Sequence, residues 1–193
     1  MERPFWKQKN LAYYLKKIEL LIKFCGIHDI KYIILPLVDN SSIKKNSIEK
    51  IIIYKLKKLN QLLKKFKVNI LFESDYKPKK LLNFIKKFNN QNFGINYDLG
   101  NSASLSYEIE EEFNTYGKFI KNIHIKDRIK NGKTVRLGYG NVNFKKFFKL
   151  LKKINYRGPF ILQTARSIRK GDDYNELKNN LIYLKKVSTN DLK

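Results

Sequence analysis

The chain has one cysteine, one methionine and one tryptophan in 193 residues. A lone Cys25 cannot close an internal disulfide, and no zinc-ligand spacing surrounds it. The expected setting is therefore the reducing cytoplasm. Long apolar runs are missing too. Stretches such as Tyr32–Val38 and Val68–Phe72 fall far short of the roughly 20 residues a membrane-spanning helix needs, so no membrane partner is expected. The first residues, Met1-Glu2-Arg3-Pro4-Phe5-Trp6, lack the basic-then-apolar pattern of a secretory leader. Acid is scarce: 17 Asp and Glu face 41 Lys and Arg, for a formal net charge of +24. A surplus of that size suits a polyanionic partner only when it is gathered into a patch. Here the lysines are spread over every helical segment, in pairs such as Lys16-Lys17, Lys64-Lys65 and Lys152-Lys153. They read as solvated helix faces, and nucleic acid is not the expected partner. Arginine is the sparse cation, confined to Arg3, Arg128, Arg136, Arg157, Arg166 and Arg169. Where lysine is the default, a guanidinium suits planar, two-pronged anion recognition.

What remains is a globular composition with an alternating texture. Tyr32–Val38, Val68–Phe72, Phe119–Ile125 and Pro159–Leu162 are nearly continuous apolar runs, as strands buried on both faces should be. Phe93–Tyr97 is a weaker fifth run at the right interval. Between them lie stripes of helical period. These are Leu11, Leu15, Ile18, Leu21 and Ile22; then Ile48, Ile52, Leu56, Leu59, Leu62 and Leu63; then Leu81, Leu82, Ile85 and Phe88. Phe144, Phe147, Phe148, Leu150 and Leu151 follow, and last Leu177, Leu181 and Leu184. Gly26 stands where it can cap the first helix. One helix followed by five strand–helix repeats is an all-parallel α/β pattern in a single domain over residues 1–193. The long segment from Ile129 to Asn141, with Gly132, Gly138 and Gly140, resembles an active-site loop.

In parallel α/β folds, functional groups collect at the C-terminal ends of strands. Those ends carry Asp39, Glu73 with Asp75, Asp98, His124 with Lys126, Asp127 and Arg128, and Gln163 with Arg166. Any one acid in such a place is as well explained by a helix cap or a loop charge, and Asp39 and Asp75 fit that description. Glu73, Asp98, His124 and Gln163 are harder to dismiss. Hard oxygen donors plus one imidazole, brought from four consecutive strands, are what a divalent cation requires. His28, just past the first helix, reads as a surface residue. Lys126, Arg128, Arg136 and Arg166 either hold a phosphate or carboxylate of a substrate, or pair with Asp75, Asp127 or Asp172 to pin the loop.

At these residues the chain resembles a known family. Asn96-Tyr97-Asp98-Leu99-Gly100-Asn101-Ser102-Ala103-Ser104, His124-Ile125-Lys126-Asp127-Arg128, Leu137-Gly138-Tyr139-Gly140 with Phe144, and Ile161-Leu162-Gln163-Thr164-Ala165-Arg166 are similar to the sugar phosphate isomerase/epimerase family of xylose isomerase-like TIM barrels. The resemblance implies one divalent ion (manganese, cobalt, magnesium or zinc) on Glu73, Asp98, His124 and a fourth ligand. It implies a small-molecule sugar or sugar phosphate as substrate, contacted by Asn101; Lys126, Asp127, Arg128, Arg136 and Arg166 are the further candidate substrate contacts. Two departures stand out. The fourth ligand is Gln163 where relatives have glutamate, and an amide cannot take up a proton at neutral pH. Glu73 is then the one base, moving a proton through an enediolate. The second departure is length. Five βα units of the usual eight are expected, an N-terminally incomplete (β/α) barrel of TIM type lacking its first three strands. That leaves open a homo-oligomer, a complementing chain or a non-catalytic fragment. The abasic-site endonuclease branch of the superfamily is histidine-rich, and two histidines serve it poorly.

Overall fold

The computed structural model describes residues 4, 6, 8–165 and 171–189. The chain divides into two compact units, Met1–Asn96 and Tyr97–Lys193.

The first unit holds α1 (Gln8–Ile27), β1 (Tyr32–Leu37), α2 (Asn46–Lys57), α3 (Asn60–Phe66), β2 (Asn69–Ser74), α4 (Pro78–Lys86) and most of β3 (Phe93–Asp98). β1 and β2 run parallel from Tyr32 opposite Asn69 to Leu37 opposite Ser74. β2 and β3 run parallel from Ile70 opposite Phe93. Pro78 opens α4, where a missing N–H costs nothing. Phe72, Phe84, Phe88 and Phe93 pack β2 and β3 against the end of α4, with ring centroids 5.0 Å apart for Phe72–Phe88 and 4.3 Å for Phe88–Phe93. Aromatic rings offset at these distances add to the free energy of burial itself.

Two sequence expectations change here. The stripe from Ile48 to Leu63 is two helices, α2 and α3, broken at Lys58 and Leu59. Gly26 lies inside α1 and does not cap it; the left-handed residue after that helix is Asp29, with φ 56°. Gly26 is small for another reason, since a Cβ there would sit 2.6 Å from the Phe66 side chain of α3. His28 follows α1 and is exposed, as expected.

The second unit holds α5 (Leu99–Ser104), α6 (Ile109–Tyr116), β4 (Ile120–Ile125), β5 (Asp127–Arg128), β6 (Thr134–Val135), α7 (Phe144–Lys153), β7 (Phe160–Leu162) and α8 (Asp173–Thr189). β4 and β7 are parallel, with His124 opposite Ile161. Asn143 caps α7 by accepting the Lys146 N–H at 2.9 Å. The long loop is partly ordered by β5 and β6, a short antiparallel ladder pairing Asp127 with Val135 and Arg128 with Thr134. β7 differs from its expected burial. Phe160 and Ile161 are 47% and 48% exposed, because β7 ends the sheet. In α8 the apolar stripe is not the buried face either: Leu177 and Leu181 are exposed while Glu176 and Asn180 are buried.

The five main strands follow the order β1-β2-β3-β4-β7 in one sheet. Helices separate successive strands, which is the parallel α/β arrangement the sequence implies. Among the described residues, no helix is long and apolar enough to cross a membrane.

Candidate active site

Asp98 is the last residue of β3 and the N-cap of α5, with extended backbone angles of φ −97° and ψ 107°. Its Oδ1 accepts the Asn101 N–H at 2.8 Å, which closes the first turn of α5. Oδ2 is left for other partners. Lys126 Nζ donates to it at 3.0 Å, and His124 Nδ1 lies 3.8 Å away. Burial alone would push the Asp98 carboxyl up. His124, Lys126 and the Asn101 N–H outweigh it and hold the group below the usual carboxylate range.

His124 and Lys126 both come from the end of β4. Residues two apart on a strand project to the same side, so the imidazole and the ammonium share one face. His124 is 8% exposed. The Lys126 ammonium also donates to Gln163 Oε1 at 3.2 Å, just past β7. Asp98, His124, Lys126 and Gln163 thus stand together in the second unit. Of these, Lys126 and Gln163 line a cavity of about 830 Å³, together with Lys133, Arg136, Tyr139 and Glu176 among others.

Glu73 belongs to the first unit. It stands at the C-terminal end of β2, partly exposed, where its Oε2 accepts from Asn96 Nδ2 of β3 at 2.9 Å.

Of the residues expected to touch substrate, several are committed to the loop. Asp127 is the clearest case. Its carboxylate is fully buried and accepts the N–H groups of Gly138 and Gly140 at 2.9 Å and of Val142 at 3.1 Å. It anchors the loop through these three bonds. Arg128 donates through Nε and Nη2 to the Gly132 carbonyl and through Nη1 to Asn101 Oδ1 at 2.7 Å, tying the hairpin to α5. Arg136 lines the cavity and grips Glu176 of α8 with two N–H groups. Glu176 is held in turn by Asn180 Nδ2 at 3.1 Å, while Asn180 Oδ1 accepts the Leu137 N–H at 3.0 Å. That clasp holds the Glu176 carboxyl below its ordinary value, chiefly through the Arg136 hydrogen bonds. Arg166 lies outside the described residues. Of the two aspartates read as caps or loop charges, Asp39 sits in a 3-10 turn with φ 51° and Asp75 accepts from the Ser42 hydroxyl; neither caps a helix.

Sequence reasoning missed Glu112, Glu176 and Asn180. For the last two the signal is their i, i+4 spacing on one face of α8. Their burial, in place of the neighbouring leucines, sets the position of the cavity loop.

The chain matches the family model described as xylose isomerase-like TIM barrel over residues 7–186. It is 33% identical over 86 residues to L-ribulose-5-phosphate 3-epimerase UlaE of Escherichia coli O1:K1, an alignment covering 44% of this chain and 30% of that one. The chain therefore spans less than a third of the curated relative it matches. A xylose isomerase domain protein from Planctomyces limnophilus superposes with a TM-score of 0.81 at 21% identity, covering 96% of this chain and 69% of that one. A xylose isomerase-like TIM barrel protein from Mycobacterium smegmatis, solved in complex with magnesium, superposes with a TM-score of 0.73 at 16% identity, over 95% of this chain and 71% of that one. With five parallel strands in order and a family match over nearly the whole length, the chain belongs to the xylose isomerase-like TIM-barrel family.

Proposed function

We propose that the protein is a divalent-metal-dependent isomerase or epimerase of a sugar or sugar phosphate, with the ion on Glu73, Asp98, His124 and Gln163. The observation that carries this reading is the buried Asp98–His124 pair at the ends of β3 and β4, beside a cavity reached by Lys126 and Gln163. The donor chemistry fits the ion. Glu73 and Asp98 supply carboxylate oxygens, His124 an imidazole, and the Gln163 amide oxygen a neutral hard donor. Manganese, cobalt, magnesium and zinc all accept such a set.

When bound, the ion would polarise the carbonyl of the substrate and acidify the neighbouring C–H. The chain's own residues do the rest. Glu73 is the proton carrier, since its carboxylate is held by Asn96 and Gln163 has no proton-accepting group. Lys126 brings positive charge to the oxygen that becomes negative as the enediolate forms. Lys133 and Arg136 line the cavity and favour an anionic end of the substrate, such as a phosphate.

The test is proton exchange. Free and phosphorylated pentuloses and hexuloses are incubated with the chain in D2O, with each of the four metals, and followed by NMR. Loss of the C–H signal next to the carbonyl, halted by EDTA, is the expected result. No exchange with any sugar under any metal would sink the proposal.

Arg136 offers a second measurement. Arg136→Met removes the Glu176 clasp and one cation but touches none of the proposed ligands. KM for a phosphorylated substrate should rise roughly tenfold with kcat nearly unchanged, the loss of one charge-assisted contact. An equal fall in kcat would place Arg136 in the reaction itself.

A further inference from the structure

Glu112 of α6 is 2% exposed and serves no part of the proposed chemistry. Among the described residues no cation pairs with it; it is held by three hydroxyls. Tyr97 Oη donates to its Oε2 at 2.8 Å, and Ser102 Oγ donates to the same oxygen. Tyr116 Oη, one turn along the same helix, donates to Oε1 at 2.5 Å. Burial pushes this carboxyl up, against the pull of the three hydroxyls.

The packing of α6 does not call for a charge here. Phe113 already seats the helix, edge-on to Tyr97 at 5.3 Å and to Phe147 at 6.1 Å. What the carboxylate adds is placement. Tyr97 directly precedes Asp98. Ser102 lies in the single-turn helix that Asp98 caps. Both hydroxyls converge on one oxygen, so the chain on either side of Asp98 is tied to the same point. Tyr97 projects to the face opposite Asp98, by the alternation of a strand. Its bond therefore fixes the roll of the strand end, while the Ser102 bond fixes the start of α5. Between them they set the direction of Asp98 Oδ2.

We propose that Glu112 is a positioning residue for Asp98, acting through the hydroxyls of Tyr97 and Ser102. The inference rests on the reading of Asp98 as a ligand. Outer groups that orient a ligand typically change metal affinity by about 10- to 100-fold.

The test is manganese affinity by titration calorimetry, with chemical denaturation run beside it. The variants are Glu112→Gln, Tyr97→Phe, Ser102→Ala and Tyr116→Phe. Tyr97→Phe and Ser102→Ala each remove one hydroxyl from Glu112, and the denaturation curves show that the variant is folded before its affinity is read. Each should weaken manganese binding roughly tenfold, and Glu112→Gln at least as much. Tyr116→Phe removes a hydroxyl from the other oxygen and keeps the ring that lies 6.4 Å from Tyr97; it should lower stability and leave the affinity within about twofold. Equal weakening by Tyr116→Phe and Tyr97→Phe, or no weakening by any variant, would overturn the inference and leave the ligand reading intact. A wild-type chain that binds no manganese would overturn both.

Discussion

Asp98→Ala is expected to erase the thermal stabilisation that manganese gives the wild-type protein. At a free concentration about 100 times its dissociation constant, a bound ion contributes about 2.7 kcal/mol. For a chain of this length that is a rise in Tm of roughly 5–10 °C. Asp98 is chosen because its carboxylate does two jobs with two oxygens: Oδ1 caps α5 and Oδ2 faces His124 and Lys126. Alanine removes both. The metal-free protein should lose about 1 kcal/mol from the cap alone. It also leaves the Lys126 ammonium without its carboxylate. Asp98→Asn separates the two jobs. Its amide oxygen still accepts from Asn101, so the metal-free melt should stay closer to the wild type, while the lost negative charge still abolishes the manganese shift. Any manganese-dependent rise that survives in both variants would remove Asp98 from the ligand set. Proton exchange on the sugar should vanish with the shift.

The strand ends were legible because parallel strands are covered on both sides. Their interiors are mostly apolar, so the first acid after a run marks where the sheet opens to solvent. Glu73 and Asp98 stand at such places, and His124 is the imidazole inside the end of the run Phe119–Ile125. Three features were not legible, each for a physical reason. Glu112 stands in the run Glu110-Glu111-Glu112, and nothing in that run distinguishes the buried acid from its neighbours. Only the hydroxyls of Tyr97, Ser102 and Tyr116, two of them distant in sequence, make that burial tolerable. Glu176 and Asn180 hid beside an apolar stripe that a long helix would ordinarily bury. Their burial follows from the loop they hold, and loop conformation has no period to read. The anchoring role of Asp127 follows from a rule already in use. If Lys126 faces the cavity, alternation puts Ile125 and Asp127 on the other side. The proton-transfer reading does not rest on Asp127, because neither Glu73 nor Gln163 depends on it. The cavity wall does depend on it: Gly138, Gly140 and Val142 hang from the Asp127 carboxylate, and Arg136 and Tyr139 lie on the same loop.

Asp127→Ala should accordingly be among the most damaging single changes to the fold. It leaves three backbone N–H groups in need of partners and opens a gap at a fully buried position. With about 1–3 kcal/mol for each unsatisfied group, and less than full additivity, the expected loss is about 3–5 kcal/mol. In a thermal melt that is a fall of roughly 10 °C or more. Asp127→Asn keeps an oxygen for Gly138 and Gly140 but turns an amide NH2 toward the Val142 N–H, so its loss should be intermediate. Gly140→Ala approaches the same contact from the other side. A Cβ there would stand 2.1 Å from Asp127 Oδ1 and 2.7 Å from the Arg128 carbonyl oxygen. Neither is the far end of a flexible chain, so the loop must move off its anchor, and a melt shift comparable to that of Asp127→Asn is expected. The measurement separates two roles for one residue. A substrate contact would lose turnover in Asp127→Asn and keep its melting temperature. A loop anchor loses stability first and raises KM as the wall bearing Arg136 loosens, with the manganese shift retained because the proposed ligands stand elsewhere. An unchanged melt in Asp127→Asn, with activity gone, would return Asp127 to the substrate side of the cavity.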